Sequence, residues 1–331
     1  MKNDSTAFVS VVTPVYNGEK YIKECIESVL SQTYKNWEYI IQNNFSSDRT
    51  PTIVEKFAKI DNRIKVHHTE KLLPIIENWN LALRKISTES KYCKVVHADD
   101  LLYPECLEKL ISAAEESQNI GIVGSYGLKG DRVKFDGLPI EKKIIPGKEV
   151  CRRTLRREMF LFGSPTTLLY RSDIIRGRND FYNERFLHAD TEVCYDVLRN
   201  YDFGFVHQVL SYTRLHEQSQ TELTAAKNNT NMIEYLGMLK KHGPCYLDAN
   251  EYKHLEKKNL KLYYVFLARK IIQFCRKAFR ENQKKYLQNM GYRFSAIKLL
   301  YHFVLIMADD ILNPKRTMSR IVRNYSDRKS G

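Results

Sequence analysis

No Cys-x-x-Cys pair occurs among the seven cysteines, which excludes a zinc module built on paired thiolates. The cysteine count is odd, and polar Asn3, Asp4, Ser5 and Thr6 stand where a secretory leader would be apolar. Both features lead to the expectation of reduced thiols and a cytoplasmic setting. Glycine (14) and proline (9) are too sparse for collagen-like or low-complexity structure. No apolar run approaches the roughly 20 residues that a membrane-spanning helix needs. The nearest approach, Ala296 to Ala308, is interrupted by Lys298 and His302 and reads as a surface-lying or packed helix. Gly18 stands alone after the first apolar run, so a glycine-rich phosphate loop is missing as well.

What is present is an ordinary globular balance, 43% apolar and 28% charged residues over 331 positions, enough for one large α/β domain or two smaller ones. The net charge of +14 is unevenly placed. Residues 245–331 carry 19 Lys and Arg against 7 Asp and Glu, whereas residues 1–244 carry 34 against 32. A near-neutral front and a basic tail suggest two jobs. The tail should meet something anionic: a membrane surface, nucleic acid or a phosphorylated acceptor.

Over the first 125 residues, strand-type and helix-type patterns alternate. Phe8 to Thr13 is a β-branched run ended by Pro14, and Tyr21, Ile22, Cys25, Ile26, Val29 and Leu30 then share a helical face. Trp37–Gln42, Ile64–His67, Tyr92–His97 and Ile120–Val123 read as further strands. Helices are expected from Thr50-Pro51, near Ile75–Ile86 and after Pro104. Such alternation predicts an α/β fold with a mainly parallel sheet flanked by helices, and ligands then sit beyond the carboxyl ends of the strands. The places to look are after Thr13, after Gln42 and after His97. Residues 126–215 are less regular, with a loop expected from Gly127 to Gly147, a basic helix around Arg152–Arg157, and strand-like runs at Thr166–Tyr170 and Phe203–His207. From about Leu223 the pattern is helical. The division expected is therefore a catalytic domain over 1–222 and a basic helical region over 223–331, serving membrane association or oligomerisation.

The pair Asp99-Asp100 directly follows a strand. Adjacent carboxylates there suit Mg²⁺ or Mn²⁺ bound together with phosphate oxygens. The plainer reading is helix capping ahead of Pro104. The neighbourhood favours the metal. Val9-Ser-Val-Val-Thr-Pro-Val-Tyr-Asn-Gly18, Trp37-Glu-Tyr-Ile-Ile41, Ser46-Ser-Asp48-Arg-Thr50 and His97-Ala-Asp99-Asp100 resemble, in order and spacing, the motifs of family 2 glycosyltransferases over roughly residues 8–220. The resemblance implies a GT-A fold with a nucleotide-binding, Rossmann-like α/β domain. It also implies an inverting transfer assisted by a divalent metal.

Carried over to this chain, the resemblance assigns Pro14 and Tyr16 to the nucleotide pocket and Asp99 to the metal. Asp190 in His188-Ala-Asp190-Thr-Glu192 becomes the catalytic base. Arg214 and His216 fall near the diphosphate, with His216 a candidate metal ligand, and Gly163-Ser-Pro165 shapes the acceptor side. Two positions depart from the family: Asn43-Asn44 replaces its acidic pair, and His97 replaces the first Asp of its Asp-x-Asp box. An Asn carboxamide can still accept a base imino proton. His97 reads equally as a contact to ribose or as a packed ring. For Asp190 the plainer alternative is a salt bridge to Arg185 or Arg199; for His216 it is a core histidine. Arg152, Arg153, Arg156 and Arg157 read as a solvated helix face.

The expected donor is a nucleotide sugar, a UDP-sugar first, and the expected acceptor a saccharide or lipid-linked saccharide, in cell-surface polysaccharide or glycolipid assembly on the inner face of the cytoplasmic membrane. Gln-x-x-Arg-Trp, the mark of processive synthases, is absent. The missing glycine-rich loop argues against a sugar nucleotidyltransferase, and no basic–aromatic strand-binding face supports a nucleic-acid partner.

Overall fold

The computed structural model describes residues 7–186, 188–216, 231–272 and 277–314. The helical expectation from Leu223 begins outside them. The chain forms two compact units, residues 1–219 and 220–331.

The first unit alternates as its periodicity demands: β1 (Val9–Val15), α1 (Ile22–Leu30), β2 (Trp37–Asn43), α2 (Thr50–Ile60), β3 (Ile64–His68), α3 (Ile75–Leu83), β4 (Tyr92–Val95), β5 (Leu101–Leu102) and α4 (Cys106–Ala114). It continues through β6 (Ile120–Lys129), β7 (Arg132–Lys134), β8 (Ile144–Ile145), α5 (Gly147–Leu155), β9 (Leu168–Arg171), α6 (Ser172–Arg176), α7 (Ala189–Val197) and β10 (Asp202–Thr213).

The sheet runs β3-β2-β1-β4-β9-β6-β10-β5. Strands β3, β2, β1 and β4 are parallel, with Val12 opposite both Ile40 and Val95. Covered on both faces, β1 and β2 are buried at every position, their polar Ser10, Thr13, Glu38, Gln42 and Asn43 included. The run of parallel pairs is interrupted at β4, because β9 enters antiparallel between β4 and β6, and it resumes where β10 pairs parallel with β6. The stretch expected as a loop from Gly127 begins instead as a hairpin: β6 continues to Lys129 and folds back on β7, with Leu128 opposite Val133. Gly130, with φ at 59°, supplies the left-handed turn residue between them. One core cluster joins α1 (Ile22, Ile26, Val29) and residues of β1 and β2 with α4 (Leu107, Leu110), which lies against β6 and β10.

The second unit comprises α8 (Asn231–Tyr246), α9 (Ala249–Ile272), α10 (Lys277–Asn289) and α11 (Ala296–Leu312). Tyr263, Tyr264 and Leu267 of α9 are buried. The Tyr264 hydroxyl accepts from the Ser295 N–H at 2.8 Å, and the Ser295 Oγ caps α11 by accepting from the Lys298 N–H at 3.3 Å. Among the described residues no helix is long and apolar enough to cross a membrane.

Candidate active site

Three loops meet beyond the carboxyl ends of β1, β2 and β4. The first corner is made by Asn17-Gly18-Glu19 after β1 and Ser46 to Thr50 after β2. Asn17 sits at φ 48°, and its Oδ1 accepts from the Ser47 N–H at 2.9 Å while its own N–H donates to Ser46 Oγ at 2.9 Å. The Gly18 N–H donates to Thr50 Oγ1 (2.8 Å) and the Glu19 N–H to Asp48 Oδ2 (3.0 Å). Asp48 Oδ1 accepts from the Thr50 N–H at 2.9 Å, serving the first turn of α2. These donated hydrogen bonds hold the Asp48 carboxyl below its ordinary range against the opposing effect of burial. The Ser-Ser-Asp-Arg-Thr motif is thus a clasp between two loops.

Pro14 is buried in β1 opposite Gln42, whereas Tyr16 is half exposed at the rim. Asn43 and Asn44, buried together, do different things. Asn44 holds the chain after β3: its Nδ2 donates to Leu73 O and its Oδ1 accepts from the Leu73 N–H, each at 2.9 Å. Asn43 Nδ2 lies 2.9 Å from His68 Nδ1. An amide NH₂ can only donate, so Nδ1 accepts and the His68 proton sits on Nε2, 2.8 Å from Glu55 Oε1. Asn43 Oδ1 is buried without a partner among the described residues.

At the second corner, His97, Asp99 and Asp100 bring one imidazole nitrogen and two carboxylate oxygens within 4.8 Å of one another. Asp100 is buried; its Oδ2 accepts from Thr166 Oγ1 at 2.6 Å, and the carboxylate accepts from the Arg214 backbone N–H. Burial raises its carboxyl to about 6, against the pull of His97 and Thr166. Asp99 Oδ2 lies 2.8 Å from His216 Nε2, so that nitrogen carries the proton and any ligand role of His216 falls to Nδ1. The carboxylates face Thr166 and His216, not the first turn of α4, where Glu105 stands at the cap, so the capping alternative does not describe them. The His97 ring packs on Trp79 at 4.9 Å. Its Nε2, like His216 Nδ1 and Arg214 Nε, is buried without a partner among the described residues. One imidazole and two carboxylates, with the unpaired His216 Nδ1 near them, are a donor set that fits a divalent ion with mixed nitrogen and oxygen ligands; the Arg214 Nε–H can only donate, to an anionic group. Arg214 lies over Tyr21, 5.1 Å from its ring centre, and pairs with Glu24.

Asp190 stands in the first turn of α7, half-buried, with Oδ1 accepting from the Thr191 N–H at 2.7 Å. Burial raises its carboxyl, and the charges that pull it back belong to His188 and then His97, not to Arg185 or Arg199. Gly163, at φ 151°, lies beside Thr191: a Cβ there would come 2.7 Å from the Phe160 ring and 3.1 Å from Thr191 Oγ1. Arg153 and Arg156 pair with Glu149 and Glu158, as a solvated helix face does.

Three residues escaped the sequence reading. Lys94 is wholly buried in β4, donating to Thr166 O (2.5 Å) and Leu168 O (3.0 Å), with burial lowering its pKa. Thr166 also receives the His97 N–H at 3.2 Å. A lone lysine inside an apolar strand was a visible signal; Thr166 and Trp79 carried none.

The family model for "Glycosyl transferase family 2" matches residues 10–177, half of the chain and both corners, though not Asp190 or the Arg214–His216 segment. A Bacillus subtilis relative, the putative teichuronic acid biosynthesis glycosyltransferase TuaG, is 33% identical over 136 residues, 41% of this chain and about half (52%) of that protein. Among solved structures, S. aureus TarS 1–349 in complex with UDP-GlcNAc superposes with a TM-score of 0.63 at 16% identity, covering 93% of this chain and 92% of that one. The mannosyltransferase PcManGT from Pyrobaculum calidifontis, in complex with GDP-Man and Mn²⁺, gives 0.54 at 14% identity, covering 88% and 87%. These two likenesses show the GT-A fold alone. The family model shows more: the chain belongs to glycosyl transferase family 2 and is a glycosyltransferase.

Proposed function

We propose that the protein is a divalent-metal-dependent, inverting glycosyltransferase using a UDP-sugar. The acceptor hydroxyl is carried by a saccharide or lipid-linked saccharide in cell-surface polysaccharide or glycolipid assembly. The observation that supports this reading is the His97–Asp99–Asp100 group, whose donor atoms lie within 4.8 Å of one another in a cluster suited to a cation and a diphosphate. Asp190 takes the acceptor proton. The acceptor oxygen bonds to C1 from the face opposite the leaving group, the bond from C1 to the diphosphate oxygen breaks, and the nucleoside diphosphate leaves with the electron pair. The anomeric centre inverts, and no covalent sugar–enzyme intermediate is needed. A base must be ionised to act, so the raised Asp190 carboxyl is a stronger base once it is deprotonated.

His97, Asp99 and Asp100 would hold the cation, with His216 steering Asp99. A cation bound there supplies neutralisation of the developing diphosphate charge. Arg214 stands beside this group as a further positive charge for the diphosphate. At the first corner, the buried Asn43 Oδ1 is matched to a ring N–H such as that of uracil, and its amide is held in that sense by His68 and Glu55. The TuaG and TarS likenesses agree with polysaccharide assembly and a uridine donor. The cytoplasmic placement rests on the site of nucleotide-sugar synthesis, and a reduced setting fits the buried thiols of Cys25, Cys93 and Cys106.

The test is a screen of nucleotide sugars with and without Mn²⁺, followed by NMR of the anomeric proton in the product. UDP-sugar turnover that needs the metal and inverts the linkage is the expected result. Retention of configuration, or equal turnover in chelator, overturns the reading.

A further inference from the structure

The helix α11 has two apolar faces. One, through His302, Phe303 and Ile306, turns toward α9. The other is bare. Ile297 is 82% and Leu312 78% exposed, and Leu300, Val304, Leu305 and Ile311 are exposed with them. At about 100° per residue these side chains, with Tyr301 and Met307, fall within one arc of about 160° that contains no charged residue. Lys298, Asp309 and Asp310 all lie outside it. Scattered exposed apolar residues are ordinary, but a contiguous stripe along a whole helix marks an interaction surface.

The surroundings select the occupant. Arg293 precedes the helix, and residues 313–331 hold six Lys and Arg against one Asp. Residues 245–331 as a whole are net +12. A second copy would bring the same cationic region against itself, a like-charge encounter that disfavours pairing. An anionic lipid surface answers both features: its acyl boundary takes the uncharged stripe and its headgroups meet the cations. We infer that α11 is an in-plane membrane anchor for acidic lipids. At about 1.5 Å per residue it lies roughly 25 Å along the surface, which agrees with its being too short to span. Such docking would hold the enzyme where a lipid-linked acceptor is found, but it stands independently of the donor, metal and base assigned above.

The test is flotation of the full-length protein with phosphatidylglycerol–phosphatidylcholine vesicles and with phosphatidylcholine alone, at low and high salt. It is paired with the variant L300E/V304E and with light scattering in the absence of lipid. The expected result is capture by the acidic vesicles only, weakened by salt and reduced at least tenfold in the variant, with a monomer in solution. Donor hydrolysis by the variant should be unchanged, which separates loss of docking from loss of fold. Failure of the full chain to float, undiminished flotation of the variant, or a dimer in solution that L300E/V304E dissolves would each overturn the inference, the last in favour of a second copy.

Discussion

At the corner between β1 and β2, Asn17, Asp48, Thr50 and Asn44 spend their hydrogen-bonding capacity on one another's loops. At the corner beyond β4, His97 Nε2, His216 Nδ1 and Arg214 Nε are buried without a partner among the described residues, and the Asp100 carboxyl is raised by burial. A buried polar atom left unpaired costs about 1–3 kcal/mol. Among the described residues the second corner bears that cost at three nitrogens, whereas the first bears it at Asn43 Oδ1, beside a loop clasp whose other hydrogen bonds are complete. On the function proposed above, ligand supplies the missing partners, most of them at the second corner.

Substitutions can test this contrast. The largest effect belongs to Asp99→Ala. Removing the carboxylate that His216 orients should abolish metal-stimulated turnover, a loss on the order of 10⁴-fold, in keeping with the several kcal/mol that a Lewis-acid site supplies. Calorimetric titration of UDP with and without Mn²⁺ should lose the metal-dependent part of binding. If that part survives, Asp99 leaves the metal group.

Next comes Asp190→Asn, which keeps shape and removes basicity: turnover should fall by about 10²–10⁴ while UDP binding persists. Because burial raises this carboxyl, the wild-type rate should climb with pH through a limb lying above the usual carboxylate range, where Asp190 becomes ionised. The variant should lack that limb. Near-normal turnover in Asp190→Asn would place the base elsewhere.

The smallest effect on catalysis is expected at the first corner. Asp48→Ala removes an acceptor for both Glu19 N–H and Thr50 N–H and should cost about 1–2 kcal/mol of stability in urea unfolding, the worth of a lost helix-start acceptor. Its kcat under folding conditions should change less than threefold. A kcat loss as large as that of Asp190→Asn would break the distinction between the two corners.

The sequence carried the first corner well, since its motif residues are close to the strands they follow and local patterning places them. It also placed Asp99 and Asp100 correctly at a strand end. It did not reveal how they are held. Thr166 bonds Asp100 across 66 positions, Lys94 reaches Thr166 across 72, and His216 reaches Asp99 across 117. Pairings of that span leave no periodic trace. The same is true of β9, a short run whose antiparallel entry is decided by partners on both sides, and of the hairpin at Gly130, where one left-handed glycine turns an apparent loop into paired strands. Asn44 was read with Asn43 as a reader of the base. The structure shows its carboxamide already committed to Leu73 at both ends.

The grip of Lys94 on Thr166 and Leu168 has a consequence in time. Protein synthesis delivers β1 through α4 first, and with them the Asp99-Asp100 pair. A nascent chain released only as far as Val150 already contains every strand of the parallel half, yet it lacks the carbonyls that accept from Lys94 and the hydroxyl that steadies Asp100. Closing such distant contacts is slow compared with local helix formation. Until Pro165 to Leu168 arrives, Lys94 lacks its acceptors and Asp100 its hydroxyl, and Asp99 waits longer still, for His216 after β10. The sheet and the proposed metal group are therefore completed only by segments made after the parallel half.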